Sequence, residues 1–498
     1  MQKAKITIHP DYRIGEIDRR LFGAFLEPIG SWIYGSIWNP RHPLADDMGF
    51  RRDILEMTKE LGIPAIRMPG GNFTSGWEWK DSIGPKEERR THLDLAWRQY
   101  ETNEIGHDEY LEWARRVNTE PLYTLNMGTG SIEDALHCVE YTNHEGGTYW
   151  SDLRRKNGYE KPHKVKTWCL GNEMDGPWQI RSWEKDPRGY GIKVHEASKV
   201  VKWIDPECET IVAGSSTPNN RTYPDWDLQV LGECYESVDY LSLHYYHTAP
   251  EGNIGALMNA SSVFEDFINT EIAACDVMQA HFRSPKKMMI SFDEWGVITD
   301  TGAVPGGVSQ DFGFANFRQL DAVIYGGLLC TFLNYADRVK IACQSLLVNE
   351  GGMITTDPGG KAIRQTTFYP FQDAARYGRG ISLKGAARLP KAATCHHGEQ
   401  ETVTTACVYN EEQKEITVFA MNCEMQEDVK LRLSFEGFGS MEGIAWRELY
   451  DDDPYAKNTF DEEFRVVPKE KELADVSDGV TEVILKKHSW NVLRWKLK

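Results

Sequence analysis

Long apolar runs are missing from this chain. No segment approaches the roughly 20 consecutive apolar residues that a membrane-spanning helix needs. The first residues also lack the extended apolar stretch of a secretory signal peptide. We therefore expect a cytoplasmic protein that has no membrane as a partner. Internal repeats and low-complexity tracts are absent as well.

The cysteines show neither metal-binding spacing nor a disulfide framework. Ten Cys are scattered along the chain without a CxxC pair or a short regular interval. Cys169, Cys330 and Cys343 lie within apolar runs, where cysteine behaves as a small buried hydrophobe. This pattern indicates reduced thiols in a reducing compartment.

Positive charge is scarce relative to negative charge. The chain has 56 Lys and Arg against 75 Asp and Glu, which gives a formal net charge of −19. Such a chain repels phosphates, so we expect no nucleic acid as a partner and a neutral substrate instead. The 16 Trp and 21 Tyr are compatible with carbohydrate binding, although most such rings belong to protein cores.

The order of apolar runs predicts an α/β fold. The 498 residues suit a large barrel with one further domain. From about residue 21, short apolar runs alternate with helix-like stretches, and eight such runs argue for a closed (β/α)8 TIM barrel. The predicted strands span residues 22–26, 65–68, 122–126, 165–170, 210–213, 240–244, 288–292 and 339–343. The clearest helix-like stretches span residues 51–61, 108–117, 190–203, 265–282 and 317–336.

A different pattern follows the barrel. Alternating runs separated by polar turns predict a jelly-roll-like antiparallel β-sandwich at residues 379–498. The barrel is assigned to residues 18–378. A lone strand opens the chain too early for a barrel repeat, so residues 1–17 are expected to pair with the sandwich.

Two of the predicted barrel strands end in a glutamate. Glu173 follows the fourth strand, directly after Asn172, and Glu294 follows the seventh. The C-terminal ends of barrel strands share one mouth, where barrel enzymes keep their chemistry. Two carboxylates there are what glycoside hydrolysis needs, because one protonates the leaving oxygen while the other attacks the anomeric carbon or activates water. A lone Glu would more often be a solvated loop acid, but Asn172 can hold a substrate hydroxyl beside it.

Other strands also end in polar or aromatic residues. Singly, Arg67 could be an ion-pair partner, Tyr246 a core ring, and His244 and His247 hydrogen-bonded histidines. No carboxylate or Cys stands at ligand spacing from the two histidines, so no metal is expected. Taken together, these residues are better explained by one shared site than by separate structural roles. The polar residues at the strand ends are Glu27, Arg67, Asn72, Asn172, Glu173, His244, Tyr246, Asp293 and Glu294.

Five motifs, in this order and spacing, resemble the α-L-arabinofuranosidases of glycoside hydrolase family 51. They are RMPGGNF at residues 67–73, LDLAW at 93–97, GNEMDGPWQ at 171–179, DEW at 293–295 and HSWNV at 488–492. The resemblance covers essentially the whole chain. It implies a (β/α)8 barrel with a β-sandwich and a retaining double displacement, with Glu173 as the acid/base and Glu294 as the nucleophile.

The resemblance also implies substrate-binding residues. Glu27, Arg67, Asn72, Asn172 and Tyr246 match positions at which the family holds the arabinofuranosyl ring or orients the nucleophile. Trp97 matches an aromatic residue near the pocket, and we expect His244 to bind substrate beside Tyr246. Members are commonly cytoplasmic and hexameric and need no metal or cofactor, so the same is expected here.

Two positions depart from the family pattern. Leu346 occupies the place of a Gln that contacts the sugar, and Ile298 the place of a frequent Trp. Gln344 or Asn349 could substitute for the missing Gln, and Gln344 is included among the expected substrate-binding residues. Both departures leave the chemistry intact and bear on substrate preference.

The sequence thus predicts exo-acting release of terminal non-reducing α-L-arabinofuranosyl groups from arabinose-containing oligosaccharides. Such an enzyme would serve L-arabinose metabolism in hemicellulose degradation. The nearest alternative is the same chemistry on another glycoside, as in a β-xylosidase, a β-D-galactofuranosidase or an endoglucanase. A non-catalytic carbohydrate-binding protein is disfavoured because a pure binder needs no carboxylate pair. Only small fragments can be imported into a cell, so we expect the active site to be a pocket. Residues 91–104, including Trp97 and Arg98, are a candidate wall of this pocket.

Overall fold

A computed structural model describes residues 1–249, 254–298, 317–349, 351–393 and 398–498. Eight parallel strands close into a barrel in chain order, and the last strand pairs with the first through Cys343 and Gly23. All eight overlap the predicted runs, which confirms the barrel. The strands are β1 (Gly23–Phe25), β2 (Ala65–Met68), β3 (Glu120–Leu125), β4 (Thr167–Leu170), β5 (Glu209–Ala213), β6 (Tyr240–Thr248), β7 (Met289–Ile298) and β8 (Val339–Gln344).

Helices follow the barrel strands along the chain. The five predicted helices are present, and each extends within a few residues of its predicted bounds. The α-helices are α1 (Arg52–Leu61), α2 (His107–Val117), α3 (Ile132–Asn143), α4 (Tyr149–Lys156), α5 (Pro187–Ile204), α6 (Asp225–Cys234), α7 (Ile254–Met258), α8 (Ala260–Phe282), α9 (Gln319–Asn334) and α10 (Phe368–Tyr377). Short 3-10 helices span Arg19–Phe22, Asn72–Gly76, Trp79–Ser82 and Lys86–Glu88.

Two sheets form the β-sandwich, and strands from both ends of the chain contribute to them. The seven-stranded sheet has the order Arg13–Glu16, Ile381–Leu383, Val403–Asn410, Glu415–Asn422, Ser489–Leu497, Met441–Leu449, Lys469–Lys471. The four-stranded sheet has the order Ala386–Arg388, Gln2–Ile8, Val429–Phe435, Val480–Leu485. Short hairpins pair His92–Asp94 with Gln99–Glu101, Ile354–Thr356 with Ala362–Arg364, and Lys391–Ala393 with Glu399–Glu401.

One strand pair departs from the antiparallel pattern expected for the sandwich. Gln2–Ile8 runs parallel to Val429–Phe435, whereas the other pairs described in these two sheets are antiparallel. The whole barrel separates these two strands along the chain. A hairpin would impose the antiparallel direction, but a connection of this length leaves either direction open.

Helix α9 joins the barrel to the seven-stranded sheet. Its residues from Gln319 to Leu333 are all buried, which explains why its sequence is apolar on every side. Gly326 and Gly327 permit the close approach, because a Cβ atom at either position would collide with Trp490 or Met421 of the sheet. A continuous apolar core therefore runs from the barrel through α9 into the sandwich.

A β-bulge in β7 aims two consecutive acids into the barrel. Between Ser291 and Glu294, β7 has one residue more than the paired stretch of β6, and between Phe292 and Trp295 it has one more than the paired stretch of β8. Neighbouring side chains of a regular strand point to opposite faces, and an extra residue breaks this alternation. Asp293 and Glu294 consequently both face inward, while Phe292 and Trp295 pack outward against Phe332 of α9.

No helix in the described part of the chain is both long and apolar enough to cross a membrane. Nine cysteines lie in the described residues, all of them free and eight of them buried. The tenth, Cys395, lies outside the described residues.

Candidate active site

Glu294 is held in one orientation at the end of β7. Arg67 on β2 donates from Nη1 to Glu294 Oε1 at 2.5 Å, and Tyr246 on β6 donates from Oη to Glu294 Oε2 at 2.9 Å. Gly71 allows the chain to pass close by, because a Cβ atom there would lie 2.8 Å from Oε1. Burial raises the pKa of Glu294, while the cations His244 and Arg67 oppose the rise. These two cations favour the ionised carboxylate that a nucleophile needs.

Glu173 enters the same space from the end of β4. Trp178 donates from Nε1 to Glu173 Oε2 at 2.6 Å, and His244 Nδ1 lies 3.1 Å from Oε1. The backbone of Glu173 has φ +46°, a left-handed conformation that is uncommon for a residue with a side chain. Such conformations cost on the order of 1 kcal/mol and concentrate at functional sites.

The separation of the two glutamates matches a retaining mechanism. One donor atom from each of Glu173, His244 and Glu294 lies within 4.8 Å of the others. The facing carboxyl oxygens are therefore no more than 4.8 Å apart. Retaining glycosidases separate their carboxyl groups by about 5 Å, whereas inverting ones need roughly 6.5–9.5 Å for an intervening water.

His244 is a buried cation among three carboxylates. Its Nδ1 lies 3.1 Å from Glu173 Oε1 and 3.5 Å from Glu294 Oε2, and its Nε2 lies 3.2 Å from Asp293 Oδ1. Burial by itself would lower the pKa of the imidazole, but the surrounding carboxylates outweigh it and raise the pKa to about 10. His244 is therefore an imidazolium at neutral pH.

Glu173, His244 and Glu294 are also the group of described residues whose donor atoms lie close enough together to hold a metal ion. A metal needs a neutral imidazole, and a protonated His244 has no free lone pair. The glutamate oxygens already accept hydrogen bonds from Trp178, Arg67 and Tyr246. This donor set suits charge pairing better than a metal ion. His247, the other histidine considered, has Nε2 3.0 Å from the carbonyl oxygen of Ala256 on α7.

A chain of side-chain amides lies beside the glutamates. Arg67 donates from Nη2 to Asn172 Oδ1 at 2.7 Å, and Asn172 donates from Nδ2 to Asn72 Oδ1 at 2.9 Å. Gln179 donates from Nε2 to the same Asn72 oxygen at 2.7 Å and to the carbonyl oxygen of Asn172 at 2.8 Å. The orientation of both predicted asparagines is thereby set before any substrate binds.

Glu27 and Trp97 form the side of the site next to β1. The backbone N–H of Phe73 donates to Glu27 Oε1 at 2.7 Å, and Trp97 donates from Nε1 to the same oxygen at 3.1 Å. Burial, with a further contribution from Glu294, raises the pKa of Glu27 to about 8. Trp97 lies at the tip of the hairpin that pairs His92–Asp94 with Gln99–Glu101, so this hairpin reaches the site from outside the barrel.

The Gln344 side chain bonds to groups other than the two glutamates. It is buried, and its amide donates to Tyr325 Oη at 3.2 Å and to the carbonyl oxygen of Gly351 at 2.8 Å. Asn349, the other possible substitute, donates to the carbonyl oxygen of Ser31 at 3.1 Å and accepts from Thr356. The described hydrogen bonds of both side chains go to residues outside the predicted site.

The two departures from the family pattern differ in their surroundings. Leu346 is buried in the apolar cluster inside the barrel, which includes Phe25 and Trp32 and against which Trp97 packs. Ile298 ends β7 with 36% of its surface exposed. The residues that follow Ile298, 299–316, lie outside the described residues.

Three residues of the site, Trp178, Gln179 and Ser345, were not among the predicted site residues, and Asp293 was predicted only as a polar residue at a strand end. Trp178 contacts Glu173, Gln179 holds Asn72, and Asp293 contacts His244. All three lie inside the motifs quoted above, so their positions carried a signal. Ser345, whose Oγ lies 2.6 Å from Tyr246 Oη, follows a strand end without any motif of its own.

A parallel barrel whose mouth holds two glutamates at this separation defines a retaining glycoside hydrolase. Comparison with known proteins specifies the family. The family model of the α-L-arabinofuranosidase 1 domain matches residues 57–266, and the family model of the α-L-arabinofuranosidase C-terminal domain matches residues 293–489. The chain belongs to the α-L-arabinofuranosidases of glycoside hydrolase family 51.

Several relatives are similar over their full length. The intracellular exo-α-(1→5)-L-arabinofuranosidase 1 of Bacillus subtilis is 42% identical over 100% of this chain and 99% of its own. The intracellular exo-α-(1→5)-L-arabinofuranosidase of Acetivibrio thermocellus is 39% identical over 99% of both chains. Among solved structures, a family 51 α-L-arabinofuranosidase from Bifidobacterium longum superposes with a TM-score of 0.93 at 34% identity, covering 99% of this chain and 100% of that one.

Proposed function

We propose that this enzyme is an exo-acting, retaining α-L-arabinofuranosidase that releases terminal non-reducing α-L-arabinofuranosyl residues from arabinose-containing oligosaccharides. The observation that carries the proposal is the Glu173–Glu294 pair, whose facing oxygens lie within 4.8 Å. Several full-length relatives are named exo-α-(1→5)-L-arabinofuranosidases, which supports short α-(1→5)-linked arabino-oligosaccharides as substrates.

In the first step, the Glu294 carboxylate attacks the anomeric carbon while the Glu173 carboxylic acid gives its proton to the departing oxygen. The bond from the anomeric carbon to this oxygen breaks, the aglycone leaves as an alcohol, and an ester joins the sugar to Glu294. Arg67 and Tyr246 already hold the Glu294 carboxylate, so little reorientation precedes the attack.

In the second step, Glu173 acts as a base and takes a proton from water, whose oxygen attacks the anomeric carbon. The ester bond breaks, arabinose leaves with its configuration retained, and Glu173 regains its proton. Inversion occurs twice at the same carbon, which is why the net result is retention.

The remaining pocket residues are proposed to bind the sugar ring. Glu27, Asn72 and Asn172 present carboxyl and amide groups suited to sugar hydroxyls, and the ring of Trp97 offers an apolar face. Glu27, whose pKa burial raises to about 8, is protonated at neutral pH and could then donate as well as accept a hydrogen bond.

Chain length of the substrate tests the exo-acting pocket. We expect hydrolysis of short arabino-oligosaccharides with arabinose as the first product, and much slower attack on intact polymeric arabinan. The Glu294→Ala variant serves as the control for contaminating activity. Comparable rates on both substrates, with cuts in the middle of the polymer, would contradict an exo-acting pocket and favour an endo-acting one.

A cytoplasmic location and a hexameric assembly are part of the same proposal. Three of the full-length relatives are named as intracellular enzymes, which supports a role after oligosaccharides from hemicellulose enter the cell. Light scattering on the purified protein measures the assembly, and a monomer mass at working concentration would remove the hexamer from the proposal.

A further inference from the structure

We propose that Asp293 is a positioning residue, which holds the two cations of the active site, Arg67 and His244, in contact with the catalytic glutamates. The inference rests on the proposed double displacement and gives a role in it to a residue that does not itself touch the sugar. Asp293 reaches its place through the bulge in β7, which turns it inward next to Glu294.

Asp293 contacts the far end of each cation. Its Oδ1 lies 3.2 Å from His244 Nε2, and its Oδ2 lies 3.3 Å from Arg67 Nε. The other end of each cation faces the reaction, because Arg67 donates from Nη1 to Glu294 and His244 Nδ1 faces Glu173. A shift of Asp293 would therefore move both cations relative to the two glutamates.

The charges of the site balance only when Asp293 is included. Arg67 and His244 carry two positive charges, and Glu294 and Asp293 carry two negative charges, while Glu173 gains and loses a proton in each turnover. Burial would raise the pKa of Asp293, but Arg67 and His244 outweigh it and hold the pKa below its ordinary value. Asp293 is therefore ionised at neutral pH.

Besides the two cations, the described side chains that bond to Asp293 are uncharged. Ser242 on β6 donates a hydrogen bond from Oγ to Asp293 Oδ1, and Cys169 Sγ on β4 lies 3.8 Å from Oδ2. Burial raises the pKa of the Cys169 thiol to about 12 and also raises that of Cys343 on β8, so both thiols remain neutral.

Removal of the Asp293 charge should change how the site titrates. With one fixed carboxylate fewer, His244 and the acid Glu173 both lose their protons more easily, since two positive charges then face fewer negative ones. Both changes move the basic limb of the pH–rate profile toward lower pH. A residue that only stabilised the fold would lower the amount of active enzyme and leave the limb unmoved.

The test compares Asp293→Asn with Ser242→Ala, which removes a hydrogen bond to the same carboxylate without changing charge. For Asp293→Asn we expect kcat on a poor-leaving-group arabinoside to fall about 10–100-fold with KM within a few-fold of wild type. The basic limb should move down by about one pH unit or more. Ser242→Ala should keep the wild-type limb. An unmoved limb in Asp293→Asn would overturn the proposal.

A measurement on the wild type keeps the proposal testable if Asp293→Asn does not fold. In histidine-labelled protein, the His244 resonance, assigned with a His244→Gln sample, should keep imidazolium shifts up to about pH 9. Titration of His244 near its ordinary pKa would overturn the proposal, because no cation would then be held. Failure of the proposed function would look different. In that case the wild-type protein would lack arabinofuranosidase activity, or the Glu294→Ala variant would retain it.

Discussion

Single residues differ in role here because of what touches them. Glu294 and Glu173 are the same amino acid, yet Glu294 contacts a guanidinium and a phenol, while Glu173 contacts an indole N–H and an imidazolium. These contacts support the proposed division between Glu294 as a nucleophile, which must stay ionised, and Glu173 as an acid, which must exchange its proton.

The division of labour predicts different losses for the two glutamates. Glu173→Ala should slow glycosides with poor leaving groups by roughly 10²–10⁴-fold and activated aryl glycosides far less, because only the former need a proton. Azide should restore the variant and yield a glycosyl azide of retained configuration. Glu294→Ala should be nearly inactive on both substrate types. Equal losses on both types for Glu173→Ala would contradict its assignment as the acid/base.

Leu346 is expected to influence which furanoside fits. It replaces a polar side chain of the family and lies among apolar side chains near Trp97. A lost hydrogen bond to a sugar hydroxyl weakens discrimination by about 1–3 kcal/mol. We therefore expect Leu346→Gln to change the ratio of kcat/KM for arabinofuranoside and galactofuranoside. An unchanged ratio would mean that Leu346 does not face the sugar.

The sequence revealed some site residues and not others for a physical reason. Arg67 lies near the end of a predicted apolar run, and Glu173 lies three residues after another, so strand periodicity alone predicts both near the barrel mouth. Gln344 also ends a run, but its amide bonds to Tyr325 on α9. Which way such a side chain points depends on strand register and on the bulge in β7, and neither can be read from composition or periodicity.

At the scale of secondary-structure elements, α6 and α8 each carry one acid of a buried pair. Asp227 of α6 and Glu271 of α8 are fully buried, and Asp175 in the loop after β4 adds a third carboxyl nearby. Burial and mutual repulsion raise the pKa of both Glu271 and Asp227, so the pair retains at least one proton at neutral pH.

This pair predicts that stability falls as pH rises. A carboxyl whose folded-state pKa is raised binds a proton that the unfolded chain has already released above about pH 4.5, so each pH step upward favours unfolding. Glu271→Gln keeps the shape and removes one such proton. We expect its free energy of unfolding to fall less steeply than that of wild type between pH 5 and 9, by on the order of 1 kcal/mol per pH unit.

Thermal scans of wild type, Glu271→Gln and a matched surface variant check this effect. Glu196→Gln on the exposed face of α5 removes one charge without burial and should follow the wild-type pH dependence. Parallel curves for wild type and Glu271→Gln would show that the buried pair does not hold the extra proton.

At the scale of the whole molecule, the sequence was most informative where local patterns decide the structure. The eight apolar runs, the intervening helices and the alternating runs of the sandwich all reappear as elements. The pairing of strands that lie far apart in the sequence could not be predicted from such local patterns. The parallel contact of Gln2–Ile8 with Val429–Phe435 joins segments more than 400 residues apart, and only tertiary packing selects it.

The described architecture also explains why the active site is separate from the sandwich. Helix α9 and the core around Trp490 attach the seven-stranded sheet to the flank of the barrel, while Glu173 and Glu294 lie toward the C-terminal ends of their barrel strands. The two parts share a core without sharing the pocket. The net charge of −19 is compatible with a neutral sugar substrate, whose binding gains nothing from electrostatic steering.

A covalent bond between Glu294 and the sugar is the step on which the double displacement depends. Glu173→Ala treated with 2,4-dinitrophenyl α-L-arabinofuranoside should form this bond quickly, because the leaving group needs no proton, and should hydrolyse it slowly, because the base is missing. Mass spectrometry of the intact protein and of its peptides is then expected to find one pentosyl unit, attached to Glu294. A pentosyl unit on another residue, or dinitrophenol release without any adduct, would contradict the assignment of Glu294 as the nucleophile.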